Sequence, residues 1–155
     1  MPVNRVRVAK DKAELVKELV DSQGTTGPFQ TYADVVMFAA ALGAKWKKRQ
    51  PLGTISTKEP APIGLEIFIS RGYDMPIKLL AIAETGNPKI LSSFYPENDE
   101  QRLQIFEEYA NGGLEILRDE LRGAVDYTER ILLILSQERF KEQSSEEEFD
   151  LSRFL

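Results

Sequence analysis

The sequence predicts a mainly α fold, a single helical domain with a short N-terminal β-strand and a flexible acidic C-terminal tail. Three observations carry that prediction. Apolar residues recur at spacings of three and four through most of the chain. Arg5-Val6-Arg7-Val8 instead alternates with a period of two, which as a strand puts both arginines on one face and both valines on the other. After about Phe140 the composition turns to "KEQSSEEEFDLSRFL", too polar to pack on a core. The expected organisation is one domain over 1–140, with a basic strand-helix-helix part over 1–50 and a helical part over 63–140, then an acidic tail over 141–155.

In chain order, Asp11 with Glu14 starts a helix whose inward residues are Leu15, Val16, Leu19 and Val20, and "DSQGTTG" ends it in a polar loop. Thr31 and Asp34 form the next capping pair. Val35, Val36, Phe38, Ala39, Ala40 and Leu42 then surround the helix so fully that it should be buried. Gly43 marks an end that "AKWKKR" can extend, and "QPLGTISTKEPAP" is a connecting loop or a loose hairpin arm. "IGLEIFIS" fits a short strand or a helical turn. A helix over about Met75 to Thr85 is stopped by Gly86 and Pro88, and another starts near Asn98 with Leu103, Ile105, Phe106 and Tyr109 inward. Asn111-Gly112-Gly113 predicts a kink or a tight turn before the pattern resumes at Leu114. Asp126 with Glu129 opens the last helix, with Tyr127, Ile131, Ile134 and Leu135 inward.

Composition narrows the chemistry. The 155 residues include no cysteine and no histidine, which removes disulfides, thiolate sites, the commonest general base and the commonest zinc ligand. No Gly-rich phosphate loop and no GxSxG motif occurs. No catalytic residue, cofactor or metal site is expected. The N-terminus lacks an apolar h-region and no apolar run approaches the roughly 20 residues that span a bilayer, so the expected setting is cytoplasmic, without membrane contact. The net charge of −5 divides unevenly: residues 1–60 hold ten Lys/Arg against six Asp/Glu, and residues 61–155 ten against nineteen.

Lys45, Trp46, Lys47, Lys48 and Arg49 form a basic knot that suits phosphate contact, with the tryptophan stacking on a base or anchoring the segment. The plain alternative is a solvated helix end, where the dipole favours cations in any protein. The order strand, helix, loop, helix is that of ribbon-helix-helix proteins, in which two strands pair in a homodimer and Arg5 and Arg7 would read the major groove. A strand edging the chain's own sheet is the alternative, and the loop from Asp21 to Gln30 is long for the ribbon fold. Glu84, Glu97, Asp99, Glu107, Glu108, Glu115 and Asp119 would have to converge to hold a magnesium ion; Glu108, Glu115 and Asp119 would share a face only on a continuous helix. In the tail, Phe149, Leu151, Phe154 and Leu155 are candidate anchors for a partner protein.

Three stretches in order, "PFQTYADVVMFAAALGAKWKKRQPL", "LLAIAETGNPKIL" and "IFEEYANGGLEILRDELRG", resemble the Dnd system-associated protein 4 family, over roughly residues 5–135. The resemblance implies a bacterial defence setting, in which sulphur replaces a non-bridging phosphate oxygen of DNA and separate enzymes modify and restrict. It supplies no catalytic residues. Of the signature positions, Phe38 and Tyr109 are core by pattern, Gly43, Gly86 and Gly113 serve the backbone, and Asn111 serves a cap or a contact. The expected function is a non-catalytic accessory of a DNA phosphorothioation system, with DNA and other Dnd-system proteins as partners. Two other readings stay open, an adaptor without DNA affinity and an acidic-cluster nuclease.

Overall fold

The computed structural model of the chain describes residues 4–22 and 25–154, with side chains over 4–21 and 27–141. By contacts the chain divides after Asp119 into two compact units.

The first unit opens with β1 (Arg5–Val6), which pairs antiparallel with β4 (Ile63–Gly64) of the same chain, Arg5 opposite Gly64 and Val6 opposite Ile63. The strand thus edges a small sheet of its own chain, one of the two arrangements weighed for it. The alternation is as expected: Val6 and Val8 are buried while Arg5 and Arg7 face outward. The proline-rich segment after residue 50 runs alongside this N-terminal stretch, with Ser56 N donating to Val8 O and Lys10 N donating to Thr54 O, both at 2.8 Å.

The first helix is shorter than its apolar pattern predicts: a 3-10 turn over Lys10–Lys12 leads into α1 (Ala13–Glu18). The loop expected after it contains a minimal hairpin, β2 (Asp21–Ser22) paired with β3 (Thr25–Thr26). Next comes α2 (Tyr32–Lys45), capped as predicted by Thr31, whose Oγ1 accepts from Asp34 N at 3.3 Å. Its residues Ala33 to Val36, Ala39 and Ala40 are all buried. "IGLEIFIS" resolves into both of its alternatives, β4 followed by α3 (Leu65–Ser70). Then α4 (Asp74–Thr85) ends at Gly86, whose φ of 65° is the left-handed conformation that a glycine C-cap supplies without a Cβ penalty.

The largest departure is α5 (Pro96–Glu120), 25 residues without interruption where Asn111-Gly112-Gly113 predicted a kink or turn. The glycines serve the crossing with α2 instead. A Cβ on Gly113 would sit 1.7 Å from Ala39 O, and one on Gly43 would sit 2.1 Å from Tyr109 O. At each close approach one of the two backbones is that of a glycine. Val16, Leu19, Val35, Leu114 and Leu117 are all fully buried, and Phe68 of α3 meets Phe106 of α5 edge to face at 5.5 Å.

The second unit consists of a turn and α6 (Tyr127–Phe154). Asp126 opens the helix as predicted, its Oδ1 accepting from Glu129 N at 3.2 Å. The acidic segment from residue 141 is helical through Phe154.

Candidate nucleic-acid interface

The basic knot forms the C-terminus of α2 and the turn leaving it. Lys48 N donates to Gly43 O at 2.8 Å and Lys47 N to Ala44 O at 3.2 Å, the paired bonds of a Schellman motif. Lys47 fills the left-handed position of that motif with φ 53°, and is the one non-glycine residue with positive φ among those described. Glycine is the usual occupant there, because a Cβ in the left-handed region costs roughly 1–2 kcal/mol. A lysine is thus held where the backbone alone would favour its absence.

Beyond the turn, the chain is bound to α5. Gln50 N donates to Glu108 O at 3.0 Å and Asn111 Nδ2 donates to Pro51 O at 3.1 Å. Gly112 gives the turn its seat, since a Cβ there would lie 1.9 Å from Lys48 O. Arg49 reaches two carboxylates, Nε donating to Glu108 Oε1 at 2.8 Å and Nη1 to Glu84 Oε1 at 3.0 Å. Tyr109 also donates its hydroxyl to Glu84. That bond, with Arg49 beside it, holds the Glu84 carboxyl below the usual range. Burial alone would lower the Arg49 guanidinium; its bonds to Glu108 and Glu84 raise it instead.

Arg7 is likewise engaged. Its Nε and Nη2 each donate at 2.9 Å to Glu107, whose Oε2 also accepts Arg7 N at 2.6 Å. The hydrogen bond to Glu107 raises the Arg7 guanidinium above its ordinary value. Alongside runs a groove of about 430 Å³ lined by Arg7, Leu52, Ile55, Glu100, Gln104 and Glu107 among others.

One α5 turn onward, Lys12 is 1% exposed and donates to Asn111 Oδ1 at 3.1 Å, with Glu115 Oε2 at 2.9 Å. The bond from Lys12 lowers the Glu115 carboxyl against the opposing effect of burial. Glu107, Asn111 and Glu115 are spaced four residues apart, so one α5 face binds the N-terminal segment, Glu107 and Glu115 through ion pairs and Asn111 through a hydrogen bond.

The predicted interface residues therefore fall into two groups. Arg7 and Arg49 are clamped on carboxylates, and Lys45 and Trp46 have interactions of their own. Arg5, Lys47 and Lys48 carry no ion pair among the described residues. Lys47 and Lys48 sit side by side on a turn that α5 holds fixed. Phe149, Leu151, Phe154 and Leu155 lie outside the described side chains.

Of the carboxylates weighed for a metal, Glu84 and Glu108 bind Arg49, Glu107 binds Arg7, Glu115 binds Lys12 and Asp99 binds Arg102. No three come together to hold an ion among the described residues, although α5 is the continuous helix that sharing a face required.

Sequence reasoning missed Lys12 and the Asp34 cluster. Lys12 was visible in one respect, since it precedes Val16, Leu19 and Val20 by four, seven and eight positions and so lies on their buried stripe. The Asp34 carboxylate takes Arg71 Nε at 2.6 Å, Arg71 Nη2 at 2.7 Å and the Tyr73 hydroxyl at 2.6 Å, fastening α2 to the end of α3. Burial would raise Asp34, but bonds from Tyr73, Arg71 and Thr31 outweigh it and hold the carboxyl low.

The chain is mainly helical, with ion pairs from its N-terminal half along α5 and a cationic turn at the C-terminus of α2. Residues 5–154 match the family model described as DNA sulphur modification system-associated protein 4, and the chain belongs to that family. No curated protein and no solved structure matches it.

Proposed function

We propose that the chain is a non-catalytic, cytoplasmic accessory of its DNA sulphur modification system and engages DNA phosphates through Lys47 and Lys48, with Arg5 as a further cation. The observation that carries this reading is the turn itself. Two ammonium groups without an ion pair among the described residues stand on a backbone that α5 fixes, and one of them occupies a position that favours glycine. Backbone strain retained in this way points to a role for the side chain. Phosphate contacts of this kind carry affinity and no sequence information.

A second reading, docking on another protein of the system without DNA affinity, draws support from the clamping of Arg7 and Arg49. Two guanidinium groups that a duplex would use are already satisfied by Glu107, Glu84 and Glu108.

Binding to a labelled duplex, with and without phosphorothioate links, across a salt series separates the two. Lys47→Glu with Lys48→Glu should abolish salt-sensitive binding to all sequences alike. Neutral replacements should lower the slope of log affinity against log salt by about 1 per lysine. Arg49 is a poor control, since Arg49→Glu would set a third carboxylate beside Glu84 and Glu108. Lys47→Gly is the sharper variant: it should raise stability by about 1 kcal/mol through relief of the left-handed position while weakening DNA binding. Absence of binding by the wild type at low salt would leave the docking reading in its place.

A further inference from the structure

The run Ile131 to Leu135 makes α6 apolar on more than one side. Ile131 and Ile134 are 5% and 4% exposed, yet Leu132, Leu133 and Leu135 stand 59%, 48% and 47% exposed, and Phe140 68%. Leu132, Leu133, Ser136 and Phe140 recur at spacings of one, three and four, which on a helix is one continuous stripe on the side away from Ile131 and Ile134. Glu129 flanks it toward the N-terminal end and Arg139 toward the C-terminal end; both are exposed and neither has a side-chain partner among the described residues.

The charges identify the occupant. Such a stripe, acidic at one end and basic at the other, is complementary to itself when reversed. In an antiparallel pair related by a two-fold axis at the level of residue 134, midway between 129 and 139, each Glu129 faces the other copy's Arg139. Both ends then match at once. The same register sets Leu132 against the small Ser136 and Phe140 over Thr128, so that in these pairs a large side chain meets a small one.

We propose that a second copy of this chain covers the exposed stripe of α6, forming an antiparallel helix pair closed by two symmetry-related Glu129 and Arg139 contacts. An isologous surface of this kind closes on itself and needs no further partner. Its occupancy is independent of DNA binding by the lysines at residues 47 and 48. The described part of the interface is small, so the dimer is expected to be of roughly micromolar affinity.

Sedimentation of the full chain from about 1 to 100 μM, a range bracketing such an affinity, tests it. The wild type should pass from monomer to dimer within that range. Glu129→Arg sets like charges together at both ends and should weaken the dimer about tenfold or more. Combining it with Arg139→Glu restores opposite charges and should bring the affinity back. These positions are exposed, and unchanged far-ultraviolet dichroism would show that the fold is intact. A monomer throughout, a dimer indifferent to Glu129→Arg, or a double variant as weak as the single one would each overturn the proposal.

Discussion

Glu107 keeps only 1% of its side chain in water while its partner Arg7 keeps 46%, and that asymmetry decides what each contributes. Replacing Arg7 by Met strands a carboxylate in the interior with a single backbone donor, whereas Glu107→Gln leaves a guanidinium that water can reach. Breaking a buried pair from the side that leaves the charge inside costs about 3–5 kcal/mol, and losing a hydrogen bond to a charged group costs about 1.5–3. Arg7→Met should therefore destabilise the protein more than Glu107→Gln, as urea titrations of both would show. Equal losses would mean that Glu107 is better solvated than its burial indicates. The consequence for function is direct. Loss of DNA binding in an Arg7 variant is informative only after its stability has been matched to that of wild type.

At the scale of elements, the crossing of α2 and α5 depends on glycines that raise helix formation when replaced. Gly113→Ala gains up to about 1 kcal/mol of helix propensity on an isolated helix. Here its Cβ would lie 1.7 Å from Ala39 O, a backbone atom that cannot move aside alone. The helices would have to separate, and overpacking of this kind costs about 1–3 kcal/mol and occasionally more, so thermal melts should show a net loss. A neutral or stabilised Gly113→Ala would show that the two backbones do not meet there. The same position shows where the sequence was legible and where it was not. Thr31, Gly86 and Asp126 were readable because each acts on its own neighbours within four residues. Gly112 and Gly113 look identical to turn glycines until the partner backbone is known, and Ala39 lies 74 residues earlier in the chain. The candidate site followed the same rule. The helix end with its lysines was visible, but the clamping of Arg49 on Glu84 and Glu108 and the burial of Lys12 on Asn111 depend on contacts between residues far apart in the chain.

For the whole molecule, the charge asymmetry of the sequence has a structural use that composition could not show. Much of the basic excess of the N-terminal half is taken up within the first unit by α5: Arg7 on Glu107, Lys12 on Glu115, and Arg49 on Glu108. Those pairs and the absence of histidine and cysteine together set how stability responds to pH. Asp34, Glu84 and Glu115 are held below the ordinary carboxylate range in the folded chain. Their contribution is complete above the unfolded values near 4 and is lost as pH falls through the lower folded values, because there the unfolded chain binds more protons. At the alkaline end the signs reverse. Burial, aided by Glu59, pushes Tyr32 up to about 12, and bonds to Asp34 and Glu84 raise Tyr73 and Tyr109. A phenol raised in the folded state stabilises fully below about 10 and loses that contribution as pH climbs toward the folded value. Between these limits no side chain has an ordinary value near neutrality, since the residue types that would are missing. Melting temperature should therefore be flat from about pH 5 to 9, fall below about 4 and fall again above about 10. A slope through pH 6–8 would mean that a carboxylate or lysine is shifted into that range in the folded chain, and the ion pairs along α5 would be the first place to look.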